Sequence, residues 1–302
     1  MLMLSEEDVR RVLTWEALIP AMERCLTAFS AGQVTQPVRS ILTVEEDKRF
    51  LGVMPAVTPD AMGAKLVAFY PVNAGTAHPT HTAMIVLFDP KTGEPLAAMD
   101  GRLITEMRTA AVSAAVTAKV KPNGARVLAL LGSGVQAVSH LEALRHQQTF
   151  DDVRVWSPTA ANAKRLAEAH GARVTTAEEA VRGADIVVVA TASMEPVLQG
   201  RWLKPGAHVN AVGACRPNWR ELDDETMQHT LIVDSRDAAT RESGDVILSR
   251  ATIYAEAGEL FAGTKPAPQD RTTVFKSLGL AVEDLAAARL VYDATRGPKP
   301  SA

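Results

Sequence analysis

Residues 127–140 read VLALLGSGVQAVSH: an apolar run, a Gly-Ser-Gly turn, then helical spacing. In such a loop Gly132 permits a tight turn, and Gly134 lets the backbone approach a pyrophosphate closely. Ala137 stands where a small residue packs the helix against the strand, and the amide dipoles of that helix point toward negative charge. Because this GxGxxA pattern lies between a predicted strand and a predicted helix, it indicates a dinucleotide-binding loop rather than a plain tight turn.

The chain around and beyond this loop alternates strand and helix patterns. Nearly continuous apolar runs such as IVVVA are typical of parallel strands covered on both faces. The predicted fold class is therefore α/β, with a doubly wound, Rossmann-type parallel sheet. Strands are predicted at 126–131, 153–156, 172–175, 185–190, 207–212 and 230–234, with helices at 135–147, 159–169 and 177–182.

The N-terminal part is patterned differently. Helical periodicity over 5–31 gives way, between Val38 and Met99, to short β-type runs separated by turn residues, which predicts an antiparallel sheet with hairpins. An alanine-rich helix is predicted at 105–120. The boundary is placed there, with residues 1–120 in one domain and 121–274 in the nucleotide-binding domain. A further amphipathic helix is predicted at 275–295, followed by a frayed tail.

Composition and charge argue against several classes of protein. The chain has 302 residues, 47% hydrophobic and 22% charged, which suits two packed cores and disfavours disorder or a membrane span. A net charge of -3 supplies no basic face for nucleic acid. The start carries no secretory signal, and Ser5 with Asp8 predicts a helix-capping box, so the mature chain is expected to begin there. Cys25 and Cys215 lack disulfide or zinc spacing, which predicts no metal and a cytoplasmic location.

The end of the second predicted strand bears on which nucleotide binds. A site for NAD usually places Asp or Glu there, whereas this chain has Ser157, Pro158 and Thr159. The two hydroxyls can donate hydrogen bonds to a 2′-phosphate, and no carboxylate is there to repel it. NADPH is therefore favoured, with NADH possible. The plain alternative, compatible with phosphate binding, is that these residues cap the following helix.

Three cations stand among apolar neighbours in the N-terminal part: Arg39 in QPVRSILTV, Lys65 in MGAKLVAFY and Arg108 in TEMRTAAVSAAV. A solvated surface charge is the ordinary interpretation of any one of them. Arg108 is the exception, since its helix consists mainly of small residues, and its guanidinium is expected to enter a cleft and bind a carboxylate through two hydrogen bonds. Together they predict a small anionic substrate held beside a nicotinamide ring.

Other polar residues receive plainer interpretations. His81 begins a predicted strand and is more typical of a hydrogen-bonded structural histidine than of a proton donor, but it stays a candidate. The carboxylates of ELDDE (221–225) and VEDL (282–285) are interpreted as helix-start and solvent-face charges with no catalytic role.

Long stretches of the chain closely resemble the ornithine cyclodeaminase/μ-crystallin family. The likeness covers nearly the whole sequence, and PNWRELDD and TVFKSLGLAVED are similar to its μ-crystallin (ketimine reductase) branch. The matching stretches are QPVR, LGVMPA, KLVAFY, MDGRLITEMRTAAVSA, LLGSGVQAVSH, PGAHVNAVGACRPNWRELDDE, ESGDVI and TTVFKSLGLAVED.

The resemblance implies a homodimer in which an α+β substrate-binding and dimerisation domain, completed by the C-terminal helix (275–302), accompanies the Rossmann domain. It also implies roles for individual residues. Arg39, Lys65 and Arg108 would face the substrate carboxylate and imine, with Arg108 near the cofactor as well. The residues implied at the cofactor are Ser133, Val135 and Gln136 at the pyrophosphate, Ser157, Pro158 and Thr159 at the 2′-phosphate, and Thr191, Val212 and Leu278 around the nicotinamide.

Two departures from the family pattern bear on function. Cyclodeaminases of this family place an aspartate after the strand that here ends in AVGA, where it handles ammonia release, and this chain has Cys215. Elimination of ammonia loses its base, whereas reduction of a ready-made imine does not require one. Pro158 replaces the arginine of an Asn-Arg-Thr pattern, which bears on the preference for NADPH.

The resulting hypothesis is an NAD(P)H-dependent reductase of cyclic ketimine carboxylates, such as Δ1-piperideine-2-carboxylate, Δ1-pyrroline-2-carboxylate or sulfur analogues. Arg39 and Arg108 would hold the carboxylate, and Lys65, supported by His81, would protonate the imine nitrogen. The alternatives are an amino-acid or N-alkyl amino-acid dehydrogenase acting on a 2-oxo acid, an ornithine cyclodeaminase, and a non-enzymatic, thyroid-hormone-binding protein.

Overall fold

The computed structural model describes residues 1–46 and 48–297, which form two compact units. The first unit contains residues 1–108 and the segment from Leu280 onward, and the second contains residues 109–279. The helix Arg102–Val120 therefore contributes to both. Helices and strands carry numbers in chain order.

A mainly antiparallel sheet is the centre of the first unit. Its order is β1-β6-β5-β4-β3-β2, and β1 pairs with β6 in parallel while the other neighbours are antiparallel. The antiparallel sheet predicted between Val38 and Met99 is thereby confirmed. Its strands are β1 (Leu2–Leu4), β2 (Ser40–Glu45), β3 (Arg49–Val57), β4 (Met62–Phe69), β5 (His81–Phe88) and β6 (Pro95–Asp100).

The helices of this unit are α1 (Glu6–Val12), α2 (Trp15–Ser30) and α11 (Ala281–Arg296), and α11 packs against α2 and strands β3 to β5. The capping box of Ser5 and Asp8 is present at the start of α1. The helical periodicity over 5–31 corresponds to two helices, because Leu13 and Thr14 are extended and separate α1 from α2. Apolar spacing continues through the break, so periodicity did not reveal it. A short 3-10 turn lies at Pro71–Asn73.

A parallel sheet is the centre of the second unit, in the order β13-β12-β14-β11-β10-β7-β8-β9. The predicted doubly wound α/β class is confirmed. Buried side chains such as Leu131, Val187 and Val209 form the hydrophobic core of this unit. The strands are β7 (Val127–Leu131), β8 (Asp152–Trp156), β9 (Arg173–Val174), β10 (Ile186–Val189), β11 (His208–Ala211), β12 (Thr230–Val233), β13 (Ile253–Glu256) and β14 (Thr273–Lys276).

Helices connect these strands, and most of the longer ones lie where the sequence predicts them. They are α3 (Arg102–Val120), α4 (Val135–Gln147), α5 (Ala160–His170), α6 (Ala177–Val181), α7 (Asp224–Met227), α8 (Arg236–Glu242), α9 (Gly244–Ser249) and α10 (Ala257–Phe261), with a 3-10 turn at Gly200–Trp202.

The helix predicted over 275–295 is wrong at its start. Residues 273–276 are instead strand β14, fully buried between β11 and β12, and the helix begins only at Ala281. A run of Thr, Val and Phe covered on both faces suits a central parallel strand better than a helix. Of the tail predicted at 296–302, residues 298–302 lie outside the described residues.

Candidate functional site

The glycine loop follows β7 and stands next to the end of β10. Gly132 has φ 121°, and its amide donates to the Trp156 carbonyl at 2.8 Å. A Cβ at this position would lie 2.3 Å from the Ala190 carbonyl oxygen, so only glycine fits. The strand order reverses between β7 and β10, which is the switch point where open α/β sheets bind ligands.

The start of α4 suits a pyrophosphate. Gly134 is the extended N-cap residue, and within the described residues no side chain caps the helix there. A Cβ built on Gly134 would meet nothing within 4 Å, so the space beside this residue is open. Val135 is exposed, and Gln136 occupies the next position of the same turn. Uncapped amides at a helix start attract phosphate oxygens, so the predicted loop has the form that a dinucleotide requires.

The residues predicted at the 2′-phosphate of the cofactor, 157–159, follow β8. Ser133 Oγ donates to Ser157 Oγ at 2.8 Å, which joins the glycine loop to this segment. Thr159 is the N-cap residue of α5, but its side chain makes no capping hydrogen bond, and Pro158 beside it is exposed. Helix capping therefore does not account for the Thr159 hydroxyl.

The three residues predicted around the nicotinamide lie at one edge of the sheet. Thr191, Val212 and Leu278 follow β10, β11 and β14, which are neighbours in the sheet. Leu278 is buried, and its amide donates to Asp234 Oδ2 at 2.5 Å. The carboxyl ends of these parallel strands bring together residues far apart in the chain.

The interpretation of ELDDE as helix-start and solvent-face charge is wrong for Glu221. Asp223 does cap α7, but the Glu221 side chain is fully buried. Its Oε1 accepts from the amide and hydroxyl of Thr191 at 2.6 and 2.7 Å. Its Oε2 accepts from the amides of Gly213 and Ala214 at 2.6 and 2.9 Å.

A buried lysine and a second carboxylate accompany Glu221. Lys276 Nζ, at the end of β14, lies 2.9 Å from Asp245 Oδ2 and 4.0 Å from Glu221 Oε2. Burial opposes the charge on Lys276, but the two carboxylates raise its pKa. Burial raises the pKa of Glu221, against the charge of Lys276 and the bonds from Thr191. Because both Glu221 oxygens accept hydrogen bonds from donors that keep their protons, we take the side chain as ionised.

The first unit contains a second buried charge cluster. Lys65 on β4 and Arg108 on α3 are 2% and 4% exposed. Lys65 Nζ lies 2.7 Å from Asp284 Oδ2, and Arg108 Nε lies 3.0 Å from Asp284 Oδ1. Arg108 Nη1 also lies 2.7 Å from Glu283 Oε2. The two cations predicted from the sequence are therefore brought together by two carboxylates of α11.

Glu283 and Asp284 were missed as site residues, and their interpretation as solvent-face charges is wrong. Both side chains are fully buried in the first turn of α11. The available signal was an acidic pair inside the apolar run SLGLAVEDLAA, the same kind of signal that singled out Arg108. An acidic pair near a helix start suits the helix dipole equally well, which is why pattern alone placed it at the surface.

Charge and burial set the protonation of this cluster. Burial lowers the pKa of Lys65 to about 8, although the charge of Asp284 opposes that shift. Burial disfavours ionisation of Asp284, but Arg108 and Lys65 lower its pKa below the usual range. Lys65 is therefore mostly protonated at neutral pH, and it gives up its proton more readily than an exposed lysine.

His81 and Arg39 are linked to the cluster by charge. His81 begins β5, where burial and the charges of Lys65 and Arg108 lower its pKa to about 4. It is therefore a neutral imidazole at neutral pH. Arg39 precedes β2, and its positive charge contributes to the lowered pKa of Lys65. Lys65 and Arg108 thus share carboxylate partners, and His81 and Arg39 are associated with them through charge.

Cys215 follows β11, as its sequence position predicts, and it is exposed. In residues 1–46 and 48–297, no group of three or more His, Cys, Asp or Glu side chains is arranged to hold a metal ion. No helix in those same ranges is long and apolar enough to cross a membrane.

The chain is similar to known proteins over almost its full length. The model of the ornithine cyclodeaminase/mu-crystallin family matches residues 1–299. A Mus musculus protein named ketimine reductase mu-crystallin is 53% identical over 300 residues, with 96% of each chain covered.

Two solved structures are similar over nearly the full length. Thermococcus litoralis Delta(1)-pyrroline-2-carboxylate reductase, in complex with NADH and L-proline, has a TM-score of 0.92 and 35% identity, with 98% of each chain covered. An archaeal alanine dehydrogenase dimer with bound NAD has a TM-score of 0.91 and 32% identity, covering 98% of this chain and 96% of that one. With a glycine loop of the required form and a family match from residue 1 to residue 299, the chain belongs to the ornithine cyclodeaminase/μ-crystallin family.

Proposed function

We propose that the chain is an NAD(P)H-dependent reductase that converts cyclic ketimine carboxylates, such as Δ1-piperideine-2-carboxylate and Δ1-pyrroline-2-carboxylate, into cyclic amino acids. The observation that carries the proposal is the buried Lys65 ammonium, held by Asp284 at 2.7 Å and with a pKa of about 8. A general acid works best when its pKa lies near the operating pH. The names of the mouse relative and of the Thermococcus enzyme support the same reaction class.

The chain's own residues supply binding and a proton. Arg39 and Arg108 hold the substrate carboxylate, which orients the ring. Lys65 Nζ donates its proton to the imine nitrogen as the C=N bond becomes CH–NH, and Lys65 then takes a proton back from solvent. Nicotinamide, when bound, supplies the hydride that adds to the imine carbon.

The charges of the cluster favour an anionic substrate. Lys65 and Arg108 are matched by Glu283 and Asp284, and Arg39 adds a further positive charge nearby. A substrate carboxylate adds a negative charge beside these cations and disfavours loss of the Lys65 proton before reduction. An imine without a carboxylate loses both effects.

The preferred cofactor in this proposal is NADPH. After β8 the chain offers Ser157 and Thr159, and no carboxylate stands at 157–159 to repel a 2′-phosphate. NADH remains a second cofactor, since both solved structures described above contain NADH or NAD.

The proposal also includes a homodimer formed through the sheet of the first unit. Leu42 and Val44 on β2, with Leu66 and Met84 on β4 and β5, are exposed by 40 to 59%. Leu66 and Met84 are direct partners in the register, so they belong to one face. An exposed apolar strip of this kind is typical of a subunit interface. One solved structure described above is a dimer.

The decisive experiment follows NADPH absorbance with two imines that differ only in the carboxylate, Δ1-piperideine-2-carboxylate and Δ1-piperideine. We expect efficient turnover of the first and at least about a hundredfold lower kcat/KM for the second, because it lacks the charge that orients the ring. Equal efficiency on both would contradict the carboxylate-binding role of Arg39 and Arg108.

An amino-acid dehydrogenase is the second candidate, favoured by the 32% identity to an archaeal alanine dehydrogenase. Reduction of an acyclic imine formed from a 2-oxo acid and ammonia uses the same carboxylate-binding cations. Pyruvate with ammonia, assayed beside the cyclic imine, separates the two. Higher kcat/KM with pyruvate and ammonia would favour the dehydrogenase.

A further inference from the structure

One carboxylate joins two loops at the edge of the parallel sheet. Glu221 Oε1 accepts two hydrogen bonds from Thr191, which follows β10, and Oε2 accepts from the amides of Gly213 and Ala214, which follow β11. All four donor–acceptor distances lie between 2.6 and 2.9 Å. The carboxylate is thus saturated by donors from two separate segments and is fully buried.

The two loops approach each other closely at Gly213. A Cβ on Gly213 would lie 2.0 Å from the Thr191 carbonyl oxygen and 2.4 Å from Glu221 Oε1. The Thr191 hydroxyl has a fixed orientation, since it donates to Glu221 and accepts from the Ser193 amide at 3.2 Å. The side chain of Glu221 therefore determines how closely the two loops approach.

The backbone of Glu221 is fixed by a second buried carboxylate. Asp245 Oδ1 accepts from the amides of Glu221 and Leu222 at 2.8 and 3.0 Å. Its other oxygen lies 2.9 Å from the buried Lys276 ammonium, which also stands 4.0 Å from Glu221. An ionised group so fixed has little freedom to release the loops.

We propose that Glu221 is a positioning residue that shapes the nicotinamide end of the cofactor site by fixing Thr191 against Gly213–Ala214. The proposal rests on the function proposed above and on the family resemblance, which implies that Thr191 and Val212 surround the nicotinamide ring. Glu221 acts through these loops and contacts neither substrate nor cofactor. The glycine loop, which holds the pyrophosphate, lies outside its set of hydrogen bonds.

The test compares two ligands on the full-length chain: NADPH, and 2′-phospho-ADP-ribose, which lacks the nicotinamide. In Glu221→Gln the amide NH₂ must face either Thr191 or the Gly213 and Ala214 amides, so one pair of buried donors loses its acceptor. We expect NADPH to bind about tenfold more weakly, while the fragment changes by less than about twofold. Asp224→Asn is the matched control, since Asp224 is exposed and pairs with Arg220, and it should change neither affinity.

A second variant keeps the test decisive if Glu221→Gln does not fold. Thr191→Val removes one donor to Glu221 and should weaken NADPH in the same direction, whereas Thr191→Ser, which keeps the hydroxyl, should restore binding. In the double variant Glu221→Gln/Thr191→Val, the losses should fall short of additive, because both substitutions break the same contact.

Two results would overturn the proposal: equal weakening of NADPH and fragment, which indicates general damage, or no change of NADPH affinity in Glu221→Gln or Thr191→Val. Both affinities are measured without an imine. A chain that binds NADPH but reduces no imine would therefore contradict the proposed reaction while leaving the role of Glu221 intact.

Discussion

Lys65 Nζ lies 2.7 Å from Asp284 Oδ2, and the two side chains are 2% and 0% exposed. The pair joins a strand of the N-terminal sheet to the C-terminal helix, and Asp284 uses its other oxygen for Arg108. A buried carboxylate that contacts two cations keeps both charged in surroundings that disfavour charge. The proton proposed for catalysis therefore depends on Asp284.

Replacing Asp284 with Asn should lower both stability and activity. Loss of one partner from a buried ion pair costs about 3 kcal/mol of unfolding free energy. Because Asp284 raises the pKa of Lys65 against burial, its removal lowers that pKa further and reduces the protonated fraction at neutral pH. Urea unfolding and pH profiles of kcat/KM measure the two effects. Asp293→Asn, in the same helix but half exposed, is the control and should change neither.

The proposed general acid also predicts a pH dependence. Lys65 must be protonated to act, so kcat/KM for the imine should be full below its pKa of about 8 and fall as the pH rises through that value. Lys65→Ala should lower turnover by roughly a hundredfold and abolish this limb of the profile. A profile that stays flat up to pH about 10, the usual range of lysine, would show that Lys65 is not the acid.

A substitution at the proposed 2′-phosphate site should change the cofactor preference. Ser157→Asp introduces a carboxylate that repels a 2′-phosphate and accepts from a free 2′-hydroxyl, so preference should move toward NADH. The ratio of kcat/KM for NADPH and NADH measures it. Thr240→Asp adds the same charge on α8 and should leave the ratio unchanged. An unaltered ratio in Ser157→Asp would place the pocket elsewhere.

The presence of Cys215 predicts that the chain does not release ammonia from ornithine. Ammonia loss from ornithine needs a base near the amino group, and this chain has Cys215 where the resemblance to cyclodeaminases implies an aspartate. We expect no useful ammonia release from ornithine with catalytic NAD, measured beside NADPH consumption with the cyclic imine. Cys215→Ala should cost little in the imine assay. Robust ammonia release would overturn the reductase assignment in favour of a cyclodeaminase.

If the chain forms the proposed dimer, a charge introduced on the sheet of the first unit should lower its molar mass in solution. Leu42 is 56% exposed on β2, so Leu42→Glu should leave an isolated subunit folded but disrupt an interface through this sheet. Light scattering after size-exclusion chromatography reports the molar mass. Leu248→Glu, at a similarly exposed leucine of the second unit, should keep the wild-type mass. Dimers of unchanged affinity in Leu42→Glu would exclude this face.

Local patterns in the chain determined much of the second unit. Strand β7, the turn at Gly132 and helix α4 are contiguous, and each is specified by residues within a few positions of it. Hydrogen bonding and side-chain direction follow the local period of apolar residues, so these elements can be predicted without knowledge of their neighbours. The same holds for the capping box at Ser5 and for the helix that contains Arg108.

Only the tertiary structure decided which charges are buried. Glu221 and Asp284 lie in acidic stretches that suit a solvated helix start, and β14 lies in a stretch that could also be helical. Their environments come from residues remote in sequence: Thr191 and Gly213 for Glu221, Lys65 and Arg108 for Asp284, and β11 and β12 for β14. A carboxylate is stable in the interior only where such partners compensate its lost hydration, and local sequence does not contain that information.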